Sequence, residues 1–213
     1  MHDVEGALSE AVEKMGLEYI DVYMIHFPVA FEKIDGNVQQ VKIPIHKVWE
    51  QMEQMVEKGL TKHIGVSNFN VQSLLDMFTY AKIMPECNEI ELHPYLTQDA
   101  MVRFCKKYNI MPIGYCPLAR SDPTEGIYTD EAITIIAEKH GKTNAQISLR
   151  WGIQRDYVVI TKSSKFERQQ LNIDVLDFEL DEEEMKTITE LNKNLRVVYG
   201  ERLENCLFDE IFA

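Results

Sequence analysis

The 213-residue chain carries 35 acidic and 22 basic side chains, a formal net charge of -13 at neutral pH. That balance opposes any default affinity for nucleic acid or an anionic membrane surface. Hydrophobic residues make up 45% of the sequence, yet no run approaches the roughly 20 apolar residues of a membrane span.

The opening MHDVEGALSE is acidic and has neither the basic start of a signal peptide nor the Arg-rich pattern of a transit peptide. A cytoplasmic location is the expectation. Cys87, Cys105, Cys116 and Cys206 form no CxxC pair, and the six histidines form no HExxH cluster. Free thiols in a reducing compartment and no metal site follow.

In chain order, short β-rich runs alternate with amphipathic helical ones. Val4, Ala7, Leu8, Ala11 and Val12 share one side of a helix predicted over 3–16, and Tyr19–Phe27 reads as a strand stopped by Pro28. A polar loop containing Gly36 follows. Pro44 opens a helix with Val48, Trp49, Met52, Met55 and Val56 as its apolar stripe and Gly59 just past its end. His63–Val66 is the next strand, and Asn70 caps a helix from Val71. Asn88–Leu92 is a strand, Thr97 begins a helix through Lys107, and Met111–Tyr115 is a strand running into Cys116, Pro117 and Leu118. Helices follow at Asp130–His140 and Asn144–Gln154, the second opened by a capping box at Thr143 and Gln146. Tyr157–Thr161 is the last strand. Ser164 with Glu167, and Asp181 with Glu184, have capping-box spacing for two more helices, and from about 193 the chain reads as an irregular tail.

About five βα units result, with crossovers long enough for parallel strands. No Pro/Gly/Ser linker divides them, so one α/β domain over 1–213 is expected. Both a doubly wound sheet and a (β/α) barrel fit this rhythm. The absence of GxGxxG and GxxxxGK[ST] weakens the common nucleotide-binding forms of the first. In a barrel, ligand-facing groups stand where strands end. Polar residues gather there: His26, Ser67 and Asn68, His93, Tyr115 and Cys116, Lys162 and Ser163.

Each of these residues has a chemical and a structural account. His26 could donate a hydrogen bond to a polarised carbonyl or exchange a proton, or be a satisfied histidine at a strand end. Ser67 and Asn68 could hold a planar carboxamide, or form a turn and helix start. Glu89 and Glu91 share strand parity, so either could reach the mouth or be an internal ion pair. Tyr115 could lie against an aromatic base or be a core tyrosine with its hydroxyl at the rim. Lys162, Lys165 and Arg168 concentrate positive charge beside a helix start, which suits a phosphate; a solvated charge run is the alternative. Met52, Met55 and Met101 need no ligand and read as core.

YIDVYMIHFP, KHIGVSNF, NEIELHPYL, IGYCPL and VVITKS with the following ER and N, taken in order, resemble the successive strand ends of aldo-keto reductases from residue 4 to about 196. The resemblance implies a (β/α)8 barrel, here incomplete with about five of eight strands. It implies binding of NADP(H) without a Rossmann domain and reduction of aldehydes or ketones by hydride transfer. On it, His26 is the active-site histidine, Phe27 lines the substrate pocket, and Ser67, Asn68 and Glu89 hold the nicotinamide carboxamide. Tyr115 stacks on the nicotinamide ring, with Cys116 and Leu118 among the cofactor contacts. Lys162, Ser163 and Arg168 surround the 2′-phosphate, and Asn172 meets the adenine.

Several positions depart from the family pattern. Glu89 stands where glutamine is usual, Cys116 for a common serine, Phe27 for tryptophan and Leu171 for glutamate, and the loop after Leu118 is short. The resemblance also implies an N-terminally truncated fragment, with the family's first three strands and the aspartate, tyrosine acid and lysine they carry expected ahead of residue 1. A fragment of that kind should have weak activity or none, and its open sheet edges could force association, whereas a full-length parent is expected to be a monomer acting on a small carbonyl compound. The alternative is a catalytically inactive cofactor-binding or regulatory protein of the same fold, a channel-associated subunit being a further variant of it.

Overall fold

The alternation of strand and helix is realised in the computed structural model, which describes residues 3–120 and 124–198. Helix α1 (Val4–Met15) starts where the Asp3 carboxylate accepts the Gly6 N–H and stops at Gly16 in the left-handed conformation. It buries Val4, Leu8 and Val12, the predicted stripe. Strand β1 (Ile20–Ile25) follows.

The stretch around Gly36, expected as a polar loop, is instead an antiparallel hairpin of β2 (Ala30–Ile34) and β3 (Asn37–Val41). Asp35 and Gly36 turn it with φ of 51° and 86°, the paired positive values of a two-residue hairpin turn whose twist matches its strands.

Helix α2 (Ile45–Glu57) begins after Pro44 and buries Trp49, Met52 and Met55. Strand β4 (Thr61–Ser67), helix α3 (Val71–Met77) and strand β5 (Cys87–Glu91) come next. Asn70 caps α3 as expected, accepting from the Ser73 N–H at 2.8 Å.

The next helix, α4 (Asp99–Lys107), starts two residues later than predicted, because Gln98 takes a positive φ of 43° and its amide turns back to the Glu91 carbonyl (2.6 Å). Strand β6 (Met111–Tyr115), a single 3₁₀ turn (Gly126–Tyr128), α5 (Glu131–His140) and α6 (Asn144–Gln154) follow. The capping box at Thr143 and Gln146 is formed in both directions.

Strand β7 is confined to Val158–Val159, although the Ile160 N–H still reaches the Gly114 carbonyl at 2.9 Å. Helix α7 (Phe166–Ile173) has Lys165 as its N-cap and no side-chain cap bond. The expected Ser164–Glu167 box does not form. The Lys165 N–H is instead taken by the Ser163 hydroxyl at 3.1 Å, a local turn that moves the helix start one residue onward. Helix α8 (Glu182–Thr189) has its capping box at Asp181 and Glu184.

Among the described residues the main sheet has five strands in the order β1-β4-β5-β6-β7. β1 pairs with β4, and β6 with β7, in parallel. The fold is thus α/β, with a parallel five-stranded sheet consistent with part of a (β/α)8 barrel of the aldo-keto reductase type.

The described residues fall into two units, one of 3–88 with 104–110, the other of 89–103 with 111–198. The first has its own core of Leu8, Trp49, Met52, Ile64, Leu74 and Met77, and the second of Leu92, Ile127, Ile133, Ile147, Trp151 and Ile188. Among the described residues no helix is long and apolar enough to cross a membrane. Cys87 and Cys105 are buried free thiols and Cys116 is partly exposed. Cys206 and the tail from 199 lie outside the described residues, as do 121–123 in the loop after Leu118.

Candidate functional site

In the first unit, the ends of β1 and β4 meet. β1 stops at Ile25, and the exposed imidazole of His26 lies stacked on the Phe27 ring, with centroids 4.5 Å apart. β4 delivers Ser67 and Asn68, which are only 4% and 6% exposed. Asn68 holds a positive φ of 62°, a conformation that asparagine tolerates better than most residues. Its amide donates to the His26 carbonyl at 3.0 Å and to the Ser67 hydroxyl at 3.1 Å. The carboxamide-binding pair and the histidine expected from sequence are therefore joined by a hydrogen bond.

Asn88 secures the same turn from the next strand. Its amide donates to the Phe69 carbonyl at 2.9 Å, and its carbonyl accepts the Phe69 N–H at 3.4 Å. Sequence reasoning passed over this residue, although a lone amide in a buried strand was a usable signal.

Beside His26 lies a cavity of about 390 Å³, with Tyr23, Phe27, Phe31, Val48 and Met52 among its walls. Tyr23 and His26 both line this cavity, although strict strand alternation over three residues would set them on opposite faces. The alternation ends with the strand at Ile25, before His26 is reached. β1 is also an edge strand, so a groove along it collects side chains from both faces. Burial pushes the Tyr23 phenol above its ordinary pKa, so it stays protonated at neutral pH.

In the second unit, the two acids of β5 separate. Glu91 is fully buried and accepts the Val197 and Val198 N–H groups at 2.7 and 2.9 Å, with His93 Nε2 at 2.9 Å. Burial pushes its carboxyl up, but the hydrogen bonds from His93, Val197 and Val198 outweigh this and hold it below the usual carboxylate value. Glu89 is half-buried. Burial raises the pKa of the Tyr115 phenol, and Glu91 and Glu89 add to that while Arg196 opposes it. Cys116 sits at φ 50°; burial raises its thiol pKa against the hydrogen bond of Arg120.

The same unit holds a second cavity, of about 250 Å³, lined by Leu118, Lys162, Ser163, Arg168, Leu171 and Asn172 together with neighbouring residues. Five predicted cofactor residues are brought together here. Lys162 and Arg168 are exposed, and neither makes an ion pair within the described residues. The α7 start in the same segment has no side-chain cap, so no N-cap side chain occupies its first backbone N–H groups or the positive end of its dipole. Ser163 is held by Gln169, whose amide donates to the Ser163 carbonyl at 2.7 Å. The Asn172 amide approaches the Thr161 hydroxyl at 3.4 Å. Such a donor set suits a multiply charged anion.

The profile of the aldo/keto reductase family matches residues 2–193. Aldose reductase B of Dictyostelium discoideum is 42% identical over 200 residues, 88% of this chain and 64% of its own length. A probable NAD(P)H-dependent D-xylose reductase of Emericella nidulans is 38% identical over 216 residues, 91% of this chain and 68% of its own. Aldo-keto reductase family 1 member A1 of Xenopus tropicalis is 39% identical over 210 residues, 92% of this chain and 64% of its own. The chain thus spans a little under two-thirds of the length of the first and third of these relatives. In place of the expected N-terminally truncated fragment, what the comparison supports is family membership over residues 2–193, nearly the whole of this chain.

Proposed function

The chain belongs to the aldo/keto reductase family, and from that premise we propose that it serves the NADPH-dependent reduction of aldehydes or ketones to alcohols. The observation that carries this reading is the cavity at Lys162, Ser163 and Arg168. Two cations without acid partners among the described residues, a serine and an uncapped helix start fit the 2′-phosphate of NADP(H). On a chain of net charge -13, such a grouping selects an anion locally against the field of the whole.

Lys162, Ser163 and Arg168 would hold the phosphate, and Asn172 the adenine. Tyr115 would support the nicotinamide ring, with Ser67, Asn68 and Glu89 on its carboxamide and Cys116 and Leu118 alongside. Bound NADPH supplies the hydride. Anchoring at the phosphate end lets remote binding energy orient the reacting end. His26 would donate a hydrogen bond to the substrate carbonyl oxygen, Phe27 would wall the substrate, and Tyr23 is a second group able to hold a proton in the same cavity.

Calorimetric titration with NADPH and NADH tests the reading. NADPH should bind at least about tenfold more tightly, the ratio that one good phosphate contact supplies. Equal affinities would sink the phosphate assignment. A cofactor-binding protein without turnover is the second reading. Glu89 favours it, because a carboxylate accepts from the carboxamide but cannot donate back. Tight NADPH binding with no oxidation of NADPH across a panel of small aldehydes would select it.

A further inference from the structure

Within the second unit, residues 192–198 are laced along the segment that follows β5. The Asn192 side-chain oxygen accepts the Thr97 N–H at 3.3 Å. The Lys193 and Leu195 N–H groups both donate to the Tyr95 carbonyl, at 3.1 and 3.0 Å, and the Lys193 ammonium sits 3.8 Å over the Tyr95 ring.

The lacing ends on Glu91. Val197 N–H donates to one carboxylate oxygen at 2.7 Å and Val198 N–H to the other at 2.9 Å. The Glu91 side chain is 0% exposed, with the Arg196 guanidinium 4.0 Å away. Successive backbone N–H groups closing on one carboxylate form an anion-binding concavity, and here the anion is the protein's own side chain. A buried charge is tolerated only when its oxygens are paired, so Glu91 and residues 196–198 hold one another in place.

This latch adjoins Tyr115. The Leu92 N–H donates to the Tyr115 carbonyl at 3.2 Å, and both Glu91 and Arg196 act electrostatically on the Tyr115 phenol.

We infer that Glu91 is a positioning residue for the cofactor site: by pinning residues 196–198 beside Tyr115, it sets the affinity for the nicotinamide end of NADPH. The inference rests on the proposed reading that Tyr115 faces the nicotinamide. Glutamine at position 91 offers one acceptor oxygen and turns an NH₂ toward the second backbone donor, which opens the latch without changing side-chain size.

The test compares wild type with Glu91→Gln and with Val197→Pro. The second variant removes one donor from the other side of the latch and leaves the buried carboxylate in place, so it decides the matter if Glu91→Gln does not fold. Affinities are measured for NADPH and for 2′-phospho-ADP-ribose, which lacks the nicotinamide, and amide exchange is followed at Val198. Both variants should bind NADPH about tenfold more weakly and 2′-phospho-ADP-ribose within about twofold of wild type, with faster exchange at Val198. Equal weakening of both ligands, weakening of neither, or unchanged exchange at Val198 overturns the inference while the proposed function stands. Wild type binding neither nucleotide refutes the proposed function, and this inference with it.

Discussion

Arg168 and His26 are the residues on which the proposed chemistry turns, and they act at different stages. Arg168 lines the second cavity, exposed and without an acid partner among the described residues, so its guanidinium is available to a phosphate in the forked geometry that suits it. Arg168→Met keeps a long apolar stem and deletes the charge. It should weaken NADPH by about tenfold or more and leave NADH nearly unchanged, as read by fluorescence titration with each nucleotide. Loss of affinity for both would mean that Arg168 supports the fold of α7 and not the phosphate. His26 lines the cavity of the first unit, and its ring rests on Phe27 at 4.5 Å. His26→Ala should therefore leave NADPH affinity intact and lower kcat by about 10²–10⁴, the usual contribution of a positioned proton donor. Steady-state kinetics on one aldehyde, with Kd for NADPH measured alongside, separates the two effects. A raised KM at unchanged kcat would reassign His26 to substrate binding.

The elements show where the sequence was legible and where it was not. α6 was readable to the residue, because Thr143 and Gln146 spell a capping box and both of its hydrogen bonds are made, at 3.1 and 3.3 Å. Thr143→Ala removes the acceptor for the Gln146 N–H and should cost about 1 kcal/mol. That is a fall of roughly 2–4 °C in Tm for a domain of this size, measurable by calorimetry; no shift would mean that packing of Ile147, Leu149 and Trp151 alone fixes the helix start. The hairpin was missed for the converse reason. Glu32 beside Lys33 and Gln39 beside Gln40 break the alternation that marks a half-buried strand, leaving only the Asp35-Gly36 turn as a cue. Gly36 is at φ 86°, and a side chain added there meets no neighbour within 4 Å, so any cost is backbone strain and not crowding. Gly36→Val should destabilise the hairpin by about 1–2 kcal/mol, seen as faster amide exchange confined to 30–41. Protection in that segment equal to wild type would contradict the turn assignment. For the candidate site, the position of its residues at strand ends and of the basic group around the α7 start was legible from local pattern. The roles of Glu89 and Glu91 were not, since they share parity and the partner that separates them arrives 106 residues later.

For the whole chain, electrostatics predicts an acid limit to stability with a determinable sign. Glu184 is 7% exposed and meets Lys139 at 2.7 Å and His140 at 3.0 Å. Burial pushes its carboxyl up, but Lys139, the Asp181 N–H and His140 outweigh this and hold it below the ordinary value of 4.5. Glu91 is held below the same value of 4.5 by His93 and the Val197 and Val198 N–H groups, again against burial. A carboxyl depressed in the fold binds fewer protons there than in the unfolded chain. Its contribution is therefore complete above the unfolded pKa and is lost as pH falls through the folded one. Stability from urea unfolding should accordingly be nearly level between about pH 7 and 5 as far as these two groups are concerned, and decline below about 4.5. Because the groups are buried, added salt should change the decline little, unlike a decline caused by surface pairs. Glu184→Gln should be less stable than wild type at neutral pH and lose less on acidification, so that the two stability curves converge below about pH 4. Parallel curves would show that Glu184 carries none of the acid sensitivity, and a decline abolished by salt would assign it to the exposed acids on a chain of net charge -13.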